Sequence, residues 1–563
     1  MTNSSSTPPA QADTPADLPL RSSEEIQGNI LAGFLKDHQV FLFLQFADGA
    51  SGRAWLAELA PRIATTKQVA TFNAQFSLAR RNQGGDDPQS LKAVWVNVSF
   101  TRPGLIKLGP ALDPDLQAFP AFREGPAARA DAMRDQGLSA PGRWLVGGSG
   151  QQPADAMLTI AADDEGDLAV QLDKQRALLA QHRVAIVFEQ RGDTLPDERA
   201  GHEHFGFKDG ISQPGVRGFH PTNPANPSEQ DGHPGTEMIA AGEFVLGQPR
   251  EDGFTQTSPA WMQDGSFQVF RRLAQDVPGW WAQVIACAQS LPASDGLTAD
   301  QLAAKLVGRW RSGTPLAHAP ERDNRPAQDP ADDNDFRYDD DPQGQKTPRF
   351  AHIRKVYPRS RALGDQSRRI LRRGIPFGAP FDPAAGRGHG VDADRGLLFN
   401  AFMAGIEEQF EFLQQTWANS ASFQSEGDGP DPVIGDDPGT NRLHRAGRPD
   451  RDLDFRRFVH TTGALYAFAP SLTAIRRLAG GEFVQPPALR VGGRAEVSGT
   501  GGDPLRMRDQ PGLGGKIQAL LPPGTQMTLL EGPRPADGHN WWRARTTDGR
   551  AGWVAGTFLR AIF

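Results

Sequence analysis

The sequence contains a single cysteine, Cys287, among 563 residues. An intrachain disulfide is therefore excluded, and so is a zinc site built from several cysteines. Cys287 lies in an apolar, helix-like run at residues 280–288, which favours a small, buried side chain over the alternative, a thiolate ligand to a metal.

Long apolar runs and an excess of basic charge are also absent. No segment approaches the roughly 20 apolar residues that a membrane-spanning helix needs. Residues 1–22, rich in Ser, Thr and Pro, lack the features of a secretory signal, so we expect a disordered leader and, unless a signal has been removed, a cytoplasmic protein. The net charge of −7 argues against nucleic acid as the main partner.

The order of strand and helix patterns indicates two similar α+β halves. In residues 23–215, two β-α-β arrangements predict an antiparallel sheet with helices on one face, a ferredoxin-like unit. Its strands are expected at 39–46, 93–100, 157–162 and 183–189. Residues 216–483 repeat the order loosely, with strands expected at 242–247, 266–273, 396–402 and 464–470. An Asp-rich segment at about 320–346 is expected to be a solvated insertion.

The last segment, residues 487–563, has a different character. Short alternating strands separated by Gly and Pro turns predict a small all-β barrel. The pattern resembles a bacterial SH3-like domain. That resemblance implies a peptide or cell-wall ligand, although a domain that only docks on the rest of the chain fits the pattern equally well.

Three stretches carry candidate chemistry. In the first, residues 206–210 (GFKDG), Asp209 lies between two glycines on a predicted tight loop. His352 lies in the second, at 349–359, and Arg373 in the third, at 368–378. Together they supply an imidazole that can ligate haem iron, a carboxylate that can move a proton between peroxide oxygens, and a fixed cation.

Four separated motifs then identify a resemblance to a known family. They are GFKDG at 206–210, AHIRK at 351–355, ILRRGIPFG at 370–378 and FLQQTWAN at 412–419. In their order and spacing they resemble the dye-decolourising peroxidases, over roughly residues 24–481. The resemblance implies two ferredoxin-like halves with haem b between them.

The resemblance also implies roles for individual residues. His352 matches the iron ligand, Asp209 the acid/base on the peroxide side and Arg373 the arginine beside it. Phe377 matches a residue that often lines the pocket. Further expected haem contacts are Arg354 and Arg359 at the propionates, and Asp431 as the acceptor for the second His352 nitrogen.

The expected reaction is the reduction of hydrogen peroxide coupled to one-electron oxidation of a bulky aromatic reductant. Such a reductant does not need to enter the pocket if Trp or Tyr side chains relay electrons, and Tyr338, Tyr357 and Tyr466 are candidates. Three alternatives stay open: a non-catalytic haem or porphyrin carrier, a binding protein acting through its SH3-like tail, and a metal hydrolase using His202 and His204.

Overall fold

The structure is a computed structural model that describes residues 18–85, 87–222, 232–292, 296–325, 332–381, 393–435, 439–485 and 488–562. The chain divides into two compact units. The larger comprises Met1–Lys107, Leu116–Ser258 and Met262–Gly480, and the smaller comprises Leu108–Asp115, Pro259–Trp261 and Gly481–Phe563. Of the predicted leader, residues 1–17 lie outside the described residues, and Pro19–Ser22 form a short 3-10 helix.

One antiparallel sheet of nine strands forms the centre of the larger unit. The strands of this unit are β1 (His38–Phe46), β2 (Val94–Phe100), β3 (Ala156–Ala162), β4 (Val184–Asp193), β5 (Gly215–Val216), β6 (Met238–Ile239), β7 (Ser266–Gln275), β8 (Leu371–Arg372), β9 (Ile375–Phe377), β10 (Gly396–Met403), β11 (Thr440–Leu443), β12 (Arg451–Asp454) and β13 (Val459–Ala469). The order in the main sheet is β4-β1-β3-β2-β13-β7-β10-β8, and β9 also pairs with β10.

The two predicted halves share this sheet. In the first half, β1 lies between β3 and β4 and pairs with both in antiparallel register. The second half contributes β13, which pairs with β7 along most of its length. A single registered pair, Phe100 with Phe468, joins β2 to β13. The expectation of antiparallel sheets with helices is confirmed, and the two sheets are continuous.

Helices of 4 to 17 residues connect the strands. They are α1 (Gly28–Leu31), α2 (Gly49–Leu59), α3 (Thr66–Asn82), α4 (Arg102–Leu108), α5 (Asp113–Leu116), α6 (Pro120–Glu124), α7 (Ala130–Met133), α8 (Glu165–Gln181), α9 (Val277–Ser290), α10 (Ala299–Val307), α11 (His352–Val356), α12 (Leu363–Gln366) and α13 (Leu472–Ala479). Side-chain caps set several starts: Thr65 and Gln68 form a capping box at α3, and Asp164 caps α8.

One local prediction for the second half differs from the structure. Residues 242–247 do not form a strand: Ala241–Glu243 is a 3-10 turn, and Phe244 and Val245 are buried in an apolar cluster. An apolar run specifies burial there without specifying an extended backbone. Beyond β10 the chain forms two π-helical segments, Ile406–Glu411 and Leu413–Ala418.

The smaller unit is built mainly from strands. Its strands are β14 (Arg494–Val497), β15 (Leu505–Arg508), β16 (Ile517–Leu521), β17 (Gln526–Ala536), β18 (His539–Thr546), β19 (Ala551–Ala555) and β20 (Leu559–Ile562). They form one sheet in the order β16-β15-β19-β18-β17-β14-β20. Leu529, Trp542 and Val554 are among the residues of its apolar core. Across both units, none of the described helices has the length and apolar character that a bilayer crossing requires.

Candidate active site

His352 is the first residue of α11 and lines a deep cavity in the larger unit. Its Nδ1 donates a hydrogen bond to Oδ2 of Asp431, at 2.8 Å. The other Asp431 oxygen accepts from the backbone N–H groups of Val433 and Ile434, at 2.8 and 3.1 Å. Because Nδ1 carries the proton, Nε2 keeps its lone pair for a ligand in the cavity. In the structure, the Asp431 carboxylate lies against the His352 imidazole.

Burial of the His352 ring opposes protonation, but the adjacent Asp431 carboxylate outweighs burial and raises the pKa of His352 above its ordinary value. The Asp431 side chain is fully buried. A buried carboxylate with a donor on each oxygen is fixed in orientation, and it fixes the imidazole with it.

Asp209 lies on a non-repetitive loop, as the glycine spacing predicted. Gly206 and Gly210 both have left-handed backbone angles, with φ of 96° and 81°. Asp209 Oδ1 accepts hydrogen bonds from the Gly210 N–H at 2.6 Å and from Arg372 Nη1 at 3.2 Å. Asp209, Arg372 and His352 all line the same cavity.

The choice of Arg373 as the arginine beside Asp209 is wrong. Arg373 does not line the cavity; its guanidinium donates to the carbonyls of Asn29, Ile30 and Leu31 at the end of α1, at 2.9 to 3.0 Å. Successive side chains in extended backbone point to opposite sides. Arg372, in β8, therefore reaches the cavity while its neighbour turns away.

Phe377 is also on the wrong side of the sheet for a pocket residue. It is buried in an apolar cluster with Ile375 and Leu398, and its ring lies 4.1 Å from the Arg272 guanidinium. On the paired strand β10, the alternate residues Leu397 and Phe399 line the cavity. The alternation within the predicted strand 396–402 was the available signal for these two residues.

The sequence of this chain matches two family descriptions. Residues 25–194 match the DyP dimeric alpha+beta barrel domain, and residues 235–426 match the C-terminal part of Dyp-type peroxidases. The dye-decolorizing peroxidase msp1 of Mycetinis scorodonius is 32% identical over 489 residues, 83% of this chain and 89% of the relative. The chain belongs to the dye-decolourising peroxidase family.

Other dye-decolourising peroxidases agree in sequence and fold. AauDyP1 of Auricularia auricula-judae is 30% identical over 81% of this chain and 86% of its own length. A solved variant of the Pleurotus ostreatus enzyme has a TM-score of 0.69 and 29% identity over 82% of this chain and 99% of that one. A dye-decolorizing peroxidase in complex with 2,6-dimethoxyphenol has a TM-score of 0.67 and 31% identity, over 82% and 100% of the two chains. The predicted enzyme class is confirmed.

The residues of the cavity fit haem. The second imidazole nitrogen of His352, Nε2, would be available to hold the haem iron. Apolar side chains form much of the wall, among them Ile353, Leu413 and Val433. A porphyrin also carries carboxylates, and the cavity offers guanidinium groups for them: Arg309, Arg368, Arg369 and Arg372.

Arg354 and Arg359, the expected propionate contacts, do not line the cavity. Arg354 is buried and donates to Asp341 and to the Thr347 carbonyl. Arg359 donates to the Asn334 carbonyl at 2.8 Å and to Ser212 Oγ at 3.0 Å. Both cations hold the Asp-rich segment in place.

That segment is therefore not uniformly solvated, contrary to expectation. Within its described part, Asp333 and Asp341 are buried, at 2% and 6% exposure. Asp341 also accepts hydrogen bonds from the backbone N–H groups of residues 345–347. The composition of the segment showed its negative charge, but it did not show that buried arginines pair with the aspartates.

Glu203 is a cavity residue that sequence reasoning missed. Its carboxylate accepts hydrogen bonds from the backbone N–H groups of Phe205 and Phe207 and from Gln275 Nε2, so it anchors the Asp209 loop. Burial raises the pKa of the Glu203 carboxyl to about 7; the three donors oppose this shift, and the charge of Asp209 adds to it. No spacing or motif marked this glutamate in the sequence.

Two alternative metal chemistries find no support in the described part of the chain. His204 Nε2 donates to the Phe377 carbonyl, and neither His202 nor His204 belongs to a group of three metal-ligating side chains. Cys287 is a half-buried residue of α9 and does not line the cavity.

Proposed function

We propose that this chain is a haem peroxidase that reduces hydrogen peroxide and oxidises bulky aromatic compounds, such as dyes and phenolics, in one-electron steps. The observation that carries the proposal is a single cavity lined by His352, held by Asp431, and by Asp209, held by Arg372. A haem peroxidase needs a side chain that would hold the iron, a proton carrier and a fixed cation. Membership of the dye-decolourising peroxidase family supports the same function.

His352 Nε2 would hold the haem iron, and bound haem would supply the redox chemistry. Asp431 keeps the Nδ1 proton in place and makes the imidazole a stronger donor. The cofactor we propose is haem b, with its propionates paired to cavity arginines. Arg309, Arg368 and Arg369 are the candidates, because all three residues line the cavity.

Asp209 would transfer the peroxide proton, and Arg372 would stabilise the charge that develops on the peroxide oxygen. The Asp209 carboxylate takes the proton from one peroxide oxygen and returns it to the other, so that water can leave. The Arg372 guanidinium would stabilise the negative charge that develops as the O–O bond breaks. The 3.2 Å contact between the two side chains supports their joint action.

The reductant we propose is a phenolic or a comparable aromatic compound. A solved relative is a complex with 2,6-dimethoxyphenol, and several relatives are named for dye oxidation. Aromatic compounds of this kind lose one electron at a time, which matches a peroxidase that returns to its resting state in two steps.

The purified, haem-loaded protein tests the function directly. We expect a Soret band that changes on addition of peroxide, and steady-state oxidation of a phenol or dye that depends on both substrates. A Soret band without turnover would instead indicate a haem or porphyrin carrier. A protein that takes up no haem would overturn the proposal.

For the C-terminal unit we propose an SH3-like module, residues 487–563, that binds a peptide or a cell-wall fragment. Its short antiparallel strands and its small core support this assignment. Deleting the segment should abolish binding to immobilised peptidoglycan or peptide libraries while peroxide turnover remains. Turnover lost together with the segment would show that the module serves the enzyme itself.

A further inference from the structure

The loop that carries Asp209 folds around a single carboxylate. Glu203 Oε2 accepts a hydrogen bond from the Phe205 N–H at 2.8 Å, and Oε1 accepts from the Phe207 N–H at 2.9 Å. The backbone of Glu203 bonds to the same turn: its carbonyl accepts from the Gly206 N–H at 2.9 Å, and its N–H donates to the Phe207 carbonyl at 3.0 Å. One residue therefore makes four hydrogen bonds to the segment that leads directly to Asp209.

All five backbone N–H groups from residue 205 to residue 209 have partners. Three of them donate to Glu203, and the other two donate to the carbonyls of Gly201 and Arg311, at 2.9 and 3.1 Å. Buried backbone donors need such acceptors, and a backbone that loses them adopts another path. The side chain of Glu203 supplies the acceptors for two of the five groups, so it determines the path of the loop.

A donor from the central sheet fixes the Glu203 carboxylate. Gln275 is the last residue of β7, and its Nε2 donates to Glu203 Oε2 at 2.6 Å. The backbone of Gln275 is itself held, because its N–H donates to the Arg395 carbonyl at 2.9 Å and it pairs with Val459 of β13. The carboxylate therefore connects the Asp209 loop to a rigid element of the fold.

The position of Asp209 matters for its proposed role. A side chain that moves a proton must lie within hydrogen-bonding reach of the atom that holds it. A displacement of about 1 Å can cost a factor of about 100 in rate. The Asp209 carboxylate is bound directly only by the Gly210 N–H and by Arg372 among the described residues, so its position depends on the backbone that carries it.

We propose that Glu203 is a positioning residue for the peroxide reaction. Through the backbone of residues 205–207, its carboxylate holds Asp209 where it can reach the peroxide proton. The inference rests on the proposed peroxidase function, because Asp209 carries a proton only in that reaction. Glu203 adds no chemical step of its own.

Glu243 provides a matched control in the same unit. It is buried, and its carboxylate also accepts from a backbone N–H, that of Glu251 at 3.1 Å, and from Arg250 Nη2 at 3.0 Å. It does not line the cavity. Replacing Glu243 therefore measures what any buried carboxylate contributes to the fold, without a contribution to the Asp209 loop.

Kinetics of haem-loaded, full-length Glu203→Gln test the proposal. The amide has one acceptor oxygen where the carboxylate has two, so the Phe205 or Phe207 N–H loses its acceptor. The new amide can still bond to Gln275, whose buried Oε1 has no partner among the residues that the structure describes. We expect kcat/KM for hydrogen peroxide to fall about 100-fold. The value for a phenolic reductant should be unchanged, because the two substrates react in separate steps, and Glu243→Gln should keep both values.

Hydrogen–deuterium exchange of the full-length protein reports on the loop without any turnover. Peptides that cover residues 203–209 should exchange faster in Glu203→Gln than in the wild-type protein, and Glu243→Gln should leave them unchanged. Gln275→Leu removes only the donor from the sheet. It should speed exchange of the same peptides and lower kcat/KM for peroxide by a smaller factor.

The outcomes separate this inference from the proposed function. If the wild-type protein and Glu203→Gln react equally fast with peroxide, the role of Glu203 is wrong and the peroxidase assignment stands. An equal loss of kcat/KM for peroxide and for the reductant would show a general structural role and would also overturn the inference. If Glu203→Gln does not fold, Gln275→Leu decides: a loss confined to peroxide supports the proposal, and unchanged peroxide kinetics overturn it. If peroxide leaves the haem spectrum of the wild-type protein unchanged, the proposed function itself fails.

Discussion

Arg372 and Arg373 are consecutive residues whose guanidinium groups serve different parts of the molecule. Arg372 Nη1 lies 3.2 Å from Asp209 Oδ1 in the cavity wall. Arg373 instead binds three carbonyls at the end of α1. Arg372 is therefore placed to act in the proposed reaction, whereas the neighbouring Arg373 stabilises the fold.

Substitution of each arginine should therefore affect a different property, peroxide turnover for Arg372 and stability for Arg373. Arg372→Leu should lower kcat/KM for peroxide by about 10²–10³-fold, the usual cost of removing one charge-stabilising donor. Arg373→Leu should instead lower the free energy of unfolding, because each buried carbonyl left unpaired costs about 1–3 kcal/mol. Initial rates and thermal unfolding of both variants are the measurements. Normal peroxide kinetics in Arg372→Leu would contradict the assignment.

Asp431→Asn should loosen the haem. The amide cannot supply the negative charge that orients His352 and strengthens it as a donor, and loss of such a partner weakens metal binding by about 10–100-fold. Transfer of haem to an apoprotein acceptor, followed by the Soret absorbance, measures the change. Asp428→Asn is the control, since Asp428 is also buried but pairs with Arg349 and His444 instead. Equal haem loss from both variants would argue against a specific role for Asp431.

Phe399 and Phe377 should respond differently to truncation. Phe377→Ala removes a ring from a packed cluster, and we expect a loss of about 3–5 kcal/mol in unfolding free energy with little change in the Soret band. Phe399→Ala removes a ring from the cavity wall, so its main effect should be on the haem spectrum and on peroxide kinetics. Chemical unfolding and absorption spectra distinguish the two. A spectral change confined to Phe377→Ala would return that residue to the pocket.

Glu203 should make stability depend on pH. Its pKa in the folded protein is about 7, above the ordinary value of 4.5. A raised carboxyl pKa stabilises the fold below pH 4.5, and this contribution is lost as the pH rises to about 7. Relative to Glu203→Gln, the wild-type protein should lose about 1–3 kcal/mol between pH 5 and pH 8. Thermal midpoints of both proteins at the two pH values give the comparison; parallel profiles would exclude the effect.

The sequence predicted the structure best where the local backbone conformation requires a particular residue type. The glycines around Asp209 predicted its loop, and the backbone angles of Gly206 and Gly210 agree. The strands of the first half were predicted within a few residues, because alternation and apolar runs are local properties. His352 and Asp431 came from a resemblance of motifs, and the structure brings them to 2.8 Å.

The failures have a common physical origin. The side of the sheet that the Arg372 and Phe377 side chains face is set by the pairing of β8 and β9 with β10. The residues of β10 that pair with β8 lie more than twenty positions further along the chain. A shift of one residue in register reverses every side chain on a strand. Glu203 was missed for a related reason: its side-chain donor, Gln275, lies 72 residues further along the chain and meets it only in the fold. No local pattern encodes such contacts.

The position of β13 has a consequence for synthesis on the ribosome. It is the last strand of the larger unit to emerge, yet it lies between β2 and β7 near the middle of the sheet. Until Val459–Ala469 has left the exit tunnel, the nascent chain exposes two unpaired strand edges, which favour association with other chains. Translation that stops before residue 459 should therefore yield aggregation-prone fragments, and chaperone demand should be greatest just before this strand appears.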